Sequence, residues 1–312
     1  MNRIRRELDE AFGPGEKLVY GEPWGAQDSP LEPDTHPALK RCLGLLDPGV
    51  GVFCDLTRDA VKGDTFREAS PGFVNGGEGF EQGILKAVDG WREGAWEFDP
   101  ISCSQIVNYV SAHDNFTLWD KMVMCLPGQD GGRDPARFDG IREDLLKQNR
   151  LAAFIYFTCL GRLFMQAGEE FGRTKHGEGN SYCSSPEVNM LRWERAWRFG
   201  ELTDYYRGLI RLRKSLPGLC DKSASAWERV TAKTVHRPRT VSFQVEGGGP
   251  RGERLLIVYN AGAEAFSLSL PDGRWTVRAD GQWADQRRPA GYGGEPVEVP
   301  AYSGMLLLRE DG

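Results

Sequence analysis

The stretch VNYVSAHDNFTLWD, residues 107–120, sets an adjacent His113 and Asp114 where an apolar run breaks into a loop, with Asn115 directly after them. A second acid, Glu22, stands in the same kind of place. The short apolar run Leu18, Val19, Tyr20 ends in Gly21-Glu22-Pro23-Trp24, and a proline forbids further ladder bonding in a central strand. Strand ends of this kind are where barrel enzymes keep catalytic side chains. Two carboxylates so placed suit acid/base work. Paired carboxylates are the tools of glycoside hydrolysis, where one protonates the leaving oxygen and another attacks or stabilises an oxocarbenium-like transition state. Taken singly, His113-Asp114 also reads as an ordinary turn, since Asp and Asn are favoured there, and Glu22 as an exposed acid at a strand end.

Such side chains need strands that end beneath them. The first two thirds of the chain alternate in pattern: residues 2–12 read as a helix, and 17–21, 50–54, 105–111 and 162–167 as strands. Helical segments are expected at 115–125 and 142–161, with a loop rich in Gly and Asp at 127–140. This is βα order. Leu202, Tyr205, Tyr206, Leu209 and Ile210 form the stripe of an amphipathic helix that Leu216-Pro217-Gly218 ends. After Gly218 the texture changes to short β-like runs at 241–245, 255–259, 266–270, 275–278 and 305–308, separated by Gly-Gly-Gly-Pro, Pro-Asp-Gly and Gly-Tyr-Gly-Gly. A small antiparallel sandwich fits, with Trp275 and Trp283 in its core or at its edge.

Composition narrows the function. A length of 312 residues suggests about two domains. The formal charge of -6 and pI near 5.5 supply no basic footprint for nucleic acid. Seven scattered cysteines show no CxxC, which points to a reducing, cytoplasmic setting. The first residues have no apolar signal-peptide core, and the longest apolar run, at 151–160, is far short of the ~20 residues a bilayer span needs. No membrane association is expected. His36, His176 and His236 are scattered without HExxH, so no zinc site is expected, and GGEG at 76–79 lacks the Lys and Ser/Thr of a phosphate loop. The scattered acids leave calcium open.

The words around the acids resemble those of the type I pullulanases, the debranching branch of the α-amylase family of retaining glycoside hydrolases, over most of residues 1–217. YGEPW resembles that family's acid/base segment and YVSAHDNFTLWDKM its transition-state-stabilising segment. FCDLTRDAVKG at 53–63, PGFVNG at 71–76, QAGEEFGRTKHGEGNSY at 166–182 and DYYRGLIRLRK at 204–214 follow in the family's order. The resemblance implies Glu22 as general acid/base, Asp114 as the acid that grips the distorted sugar, and His113 as its hydrogen-bonding neighbour. Trp24, Asn115, Asn180 and Tyr182 would bind substrate, with no metal or other cofactor. It implies an α/β fold, the carboxyl-terminal half of a (β/α)8 TIM barrel (strands 5 to 8) over residues 1–217, followed by an all-β sandwich over 218–312. The implied partner is an α-glucan cleaved at α-1,6 branch linkages in pullulan, glycogen or starch.

One segment departs from the pattern. The family carries its nucleophilic Asp in a GFRFD-type segment before the acid/base, and these 312 residues contain none. MNRIRRELDEAF resembles the helix that follows that segment, so the chain is expected to be amino-terminally truncated. Asp9, Glu10 and Asp55 stand in other words and do not replace the nucleophile. Without it the covalent glycosyl-enzyme step has no acceptor, so the chain alone is expected to be inactive. Association through exposed barrel-strand edges is a further expectation. An inactive glucan-binding fragment, an isoamylase and a maltogenic relative remain alternatives.

Overall fold

The computed structural model describes residues 1–25, 35–126 and 134–310. Helix α1 (Asn2–Phe12) leads into four short apolar runs that become strands β1 (Val19–Gly21), β2 (Val50–Phe53), β3 (Ile106–Asn108) and β4 (Arg162–Leu163). They form one parallel sheet in the order β1-β2-β3-β4, with Val19 beside Val50, Val52 beside Ile106 and Val107 beside Arg162. Parallel neighbours require long crossovers. Helices α2 (Asp55–Lys62) and α3 (Glu81–Ala87) supply one crossover, and α4 (Leu118–Met124), α5 (Pro135–Asp139) and α6 (Glu143–Thr158) another. Helix α6 is buried at Leu145 and throughout 149–158, the apolar-all-round signature of a core helix.

The sheet is curved. Flat strands about 4.8 Å apart would put β4 some ~14 Å from β1, beyond the reach of an arginine. Yet Arg162 Nη1 donates to Val19 O at 2.8 Å and Nη2 to Gly49 O at 2.6 Å. One guanidinium thus ties the last strand back to the first.

Three expectations change in detail. The strand read at 162–167 pairs only over Arg162–Leu163. Phe164 N–H still bonds Asn108 O at 3.0 Å, but only β3 flanks this run. Within the run expected as loop at 127–140, Asp134 caps the short helix α5 through a bond from Ala136 N–H, while residues 127–133 lie outside the described ones. After β4 come α7 (Pro186–Asn189), α8 (Trp193–Arg198) and α9 (Gly200–Lys214), so the last helix stops before Leu216-Pro217-Gly218. Of its predicted stripe, Leu202, Tyr205, Tyr206 and Leu209 are buried, whereas Ile210 is exposed.

The remainder is antiparallel. Strands β5 (Val230–Arg237), β6 (Thr240–Val245), β7 (Leu255–Asn260), β8 (Phe266–Ser269), β9 (Arg274–Ala279), β10 (Ala284–Tyr292), β11 (Pro296–Val299) and β12 (Ser303–Glu310) make two sheets. One has the order β10-β9-β12-β7-β6-β5 and the other pairs β11 with β8. Between them lies a small core of Val258, Leu268, Trp275, Trp283, Val299 and Leu307. The opposite face of the larger sheet packs on α6 and α9. The Phe154 and Tyr259 rings meet edge-on at 5.8 Å, Thr158 and Tyr259 share a hydroxyl bond of 2.6 Å, and Tyr205 OH donates to Asp280 O at 2.9 Å. At Gly208 a Cβ would stand 2.7 Å from Ala284 O, so α9 approaches β10 as only a glycine permits. One hydrophobic core therefore runs through both regions. No helix among the described residues is long and apolar enough to cross a membrane.

Candidate active site

Parallel strands all end at the same edge of their sheet, so residues just past β1, β2 and β3 must converge. Glu22 follows Gly21 at the end of β1, and buried Pro23 behind it stops the ladder. After β3 the chain stays buried through Tyr109, Val110 and Ser111, then surfaces at His113, Asp114 and Asn115. Asn115 turns it with φ 61°, left-handed backbone that Asn accepts more readily than most residues. The imidazole stands between the two acids: His113 Nε2 lies 3.8 Å from Glu22 Oε1 and 3.5 Å from Asp114 Oδ1. All three side chains are open to solvent, at 42% for Glu22, 74% for His113 and 61% for Asp114.

They overlook a cleft of about 680 Å³. On its aromatic side Phe53 and Tyr109 meet edge-on at 5.0 Å, and Tyr20 and Phe164, which do not line the cleft, pack edge-on against Phe53 at 5.8 and 5.0 Å. Charged groups sit behind. Arg58 Nη1 donates to Tyr109 OH at 3.0 Å and its guanidinium pairs with Asp59. Burial raises the Tyr109 hydroxyl far above its ordinary range, so it stays protonated. Asp55, in the first turn of α2, is paired with Lys40. Deeper still, Glu169 Oε1 accepts from Tyr156 OH at 2.8 Å and Tyr206 OH at 3.1 Å. Burial pushes its carboxyl up to about 7.

Of the residues expected at the site, Glu22, Trp24, His113, Asp114, Asn115 and Asn180 line the cleft. Tyr182 does not: it is 81% exposed, two residues beyond Asn180. Sequence reasoning passed over Phe53, Tyr109 and Lys62, and it set Asp55 aside, yet all four line the cleft. A signal existed for Asp55, because it follows an apolar strand just as Glu22 does. The donor atoms of Glu22, His113 and Asp114 lie within 4.8 Å of one another. That is close enough to gather round a cation, but exposed acids often cluster without one. An apolar ring surface beside convergent carboxylates suits a ligand with apolar faces and hydroxylated edges.

No protein-family model matches the chain. Among curated proteins it is 32% identical over 290 residues to a pullulanase of Bacillus subtilis (strain 168), covering 90% of this chain and 37% of that one. It is 29% identical over 199 residues to a glycogen debranching enzyme of Enterobacter sp. (strain 638), covering 54% of this chain and 29% of that one. Several solved structures match over 99% of this chain. The pullulanase from Bacillus acidopullulyticus matches with TM-score 0.84 and 29% identity over 36% of its own length. The pullulanase from Paenibacillus barengoltzii, solved in complex with maltohexaose and alpha-cyclodextrin, matches with TM-score 0.83 and 36% identity over 46% of its length. In each case the chain spans less than half of the relative.

Proposed function

We propose that this chain, which belongs to the pullulanase family over the stretch of those proteins that it spans, supplies the acid/base half of an α-1,6-glucosidic hydrolase site acting on pullulan, glycogen or starch. The observation that carries this reading is the convergence of Glu22, His113 and Asp114 from two different strand ends on one aromatic-sided cleft. Glu22 is the general acid that protonates the glycosidic oxygen and then the base that activates water. Asp114 grips the distorted sugar and stabilises its developing positive charge, and His113 hydrogen-bonds the same ring. Trp24, Asn115, Asn180 and, from the cleft's margin, Tyr182 contact the glucan. The nucleophilic carboxylate belongs to a GFRFD-type segment, which these 312 residues do not contain. The chain by itself therefore releases no reducing ends from pullulan.

The four parallel strands are, on this proposal, half of an eight-stranded barrel over residues 1–217, with a β-sandwich domain over 218–312. Their outer strands, β1 and β4, are edges through which the chain associates. Leu18 just before β1 and Tyr20 within it are 59% and 46% exposed, which leaves apolar surface at that edge. All seven cysteines are unpaired, which supports a reducing, cytoplasmic location.

The test is product analysis after a GFRFD-bearing segment is supplied. Pullulan should be cleaved to maltotriose while amylose stays largely intact. Rapid amylose breakdown would favour a maltogenic relative, and hydrolysis of pullulan by the chain alone, abolished by Glu22→Gln, would show that the nucleophile is present after all.

A further inference from the structure

The turn from Ala112 to Thr117 carries His113, Asp114 and Asn115, and its neck is closed by Leu118 N–H donating to Ser111 Oγ at 2.8 Å. Closing the neck does not fix the tip. The left-handed backbone at Asn115 persists only where its surroundings hold it. Two ammonium groups lie where they can do so. Lys62, the last residue of α2, donates Nζ to Phe116 O at 2.7 Å. Lys175 donates Nζ to His113 O at 3.2 Å and to Ser181 Oγ at 3.1 Å. Each is only 1% exposed, a rare state for lysine because its ammonium forfeits hydration. Among the described residues neither has an ion-pair partner, and each is spent on a main-chain carbonyl of this one turn. Burial weakens both as bases, Lys62 down to about 7. They come from the words DLTRDAVKG and FGRTKHGEG, which the acid/base chemistry leaves unexplained.

We propose that Lys62 and Lys175 are positioning residues that grip the turn at Phe116 O and His113 O and so hold His113 and Asp114 opposite Glu22. The inference deepens the glucan-site reading and rests on it for the role of the turn. A control is built into the same fold. Lys121 is also fully buried and donates to Asp64 O at 2.7 Å, Glu68 O at 3.2 Å and Arg67 O, none of them in the turn.

The test is NMR of the imidazole rings. The chain has four histidines, so His113→Gln assigns the His113 signal. In Lys62→Met and Lys175→Met that signal should move, while Lys121→Met leaves it in place. Maltohexaose affinity should fall about tenfold or more in the first two, the scale of one hydrogen bond from a charged donor. An unmoved His113 signal in both folded variants overturns the proposal, as does an equal shift in Lys121→Met. If a Met variant does not fold, the Leu variant at that position, which likewise carries no donor, takes its place: a moved His113 signal supports the grip, and an unmoved one overturns it. Failure of maltohexaose to bind the unaltered chain would sink the glucan reading, while the His113 signal would still decide the lysines.

Discussion

The parallel and antiparallel regions hold their backbones in place by different means. The parallel strands are two to four residues long, and their ends are fixed by buried or half-buried side-chain cations on main-chain carbonyls. Arg162 reaches Val19 O and Gly49 O, and Lys62 and Lys175 reach the His113 turn. Arg213 bridges the carbonyls of Phe157, Cys159, Gly161 and Leu219. The antiparallel strands run four to nine residues and rely on their own ladders, with tryptophan and leucine packed between the sheets. Short strands leave long connections free to carry chemistry, but those connections need fixing from outside. The antiparallel region forms no part of the cleft lining and acts as a backing for α6 and α9.

The largest expected effect tests whether the two regions are one cooperative body. Phe154 of α6 is fully buried and contacts Tyr259 and Gly304 of the antiparallel sheet. Phe154→Ala should cost about 3–5 kcal/mol. Urea unfolding followed by fluorescence and by circular dichroism should stay a single transition in both proteins. Two separated transitions would mean that the regions fold independently and that the shared core matters little.

Next comes the chemistry. With the GFRFD-bearing segment supplied, Glu22→Gln and Asp114→Asn should each lower kcat by at least about a hundredfold. Both side chains are exposed, so each change should alter stability by less than about 0.5 kcal/mol. A large loss of stability with near-normal turnover would reverse the assignment.

A comparable effect is electrostatic and confined to the parallel region. Burial raises the Glu169 carboxyl from an ordinary 4.5 to about 7, so the native state holds a proton that the unfolded chain releases between those values. Stability is therefore greatest below about 4.5 for this group and falls as pH rises through about 7, by up to ~3 kcal/mol. Lys62 acts with the opposite sign at higher pH. Its ammonium is lowered from 10.5 to about 7, so the unfolded state binds more protons in that window and stability rises with pH across it. Urea midpoints from pH 4.5 to 10 should show both limbs, and Glu169→Gln should flatten the acidic one alone. An unchanged acidic limb in the variant would rule Glu169 out as its source.

At the small end, the pair Arg207 and Asp204 sits on the exposed face of α9 at 2.7 Å, with side chains 65% and 72% accessible. Arg207→Ala should cost less than about 0.5 kcal/mol by thermal melting. A larger loss would mean that surface charge contributes to this region beyond the buried network.

What could be read from the sequence divides along the same line. Runs such as LLIVYN became β7 because a central antiparallel strand buried on both faces is apolar throughout. Strand β10 went unread: Arg287, Arg288 and Pro289 suit an edge with one partner and a shifted register, and such edges carry no apolar signal. Strand β5 hid in the same way, with lysine, histidine and arginine on an edge. In the site, Glu22, His113 and Asp114 were legible because an acid at a strand end is a local pattern. Lys62, Lys175 and Glu169 were not. Their partners are carbonyls and hydroxyls up to 62 residues away along the chain, and lysine and glutamate are read by default as surface residues. Tyr182 shows the converse limit, since its neighbour Asn180 reaches the cleft and the tyrosine ring faces water.

The site is tested most directly by a crystal of this chain grown with maltohexaose. A sugar ring should sit in the cleft against Phe53 or Tyr109, with hydroxyls or ring oxygens within hydrogen-bonding distance of Glu22, His113 and Asp114. Glucan bound only elsewhere on the surface, or an empty cleft at saturating sugar, would refute the assignment of this cleft as the glucan site.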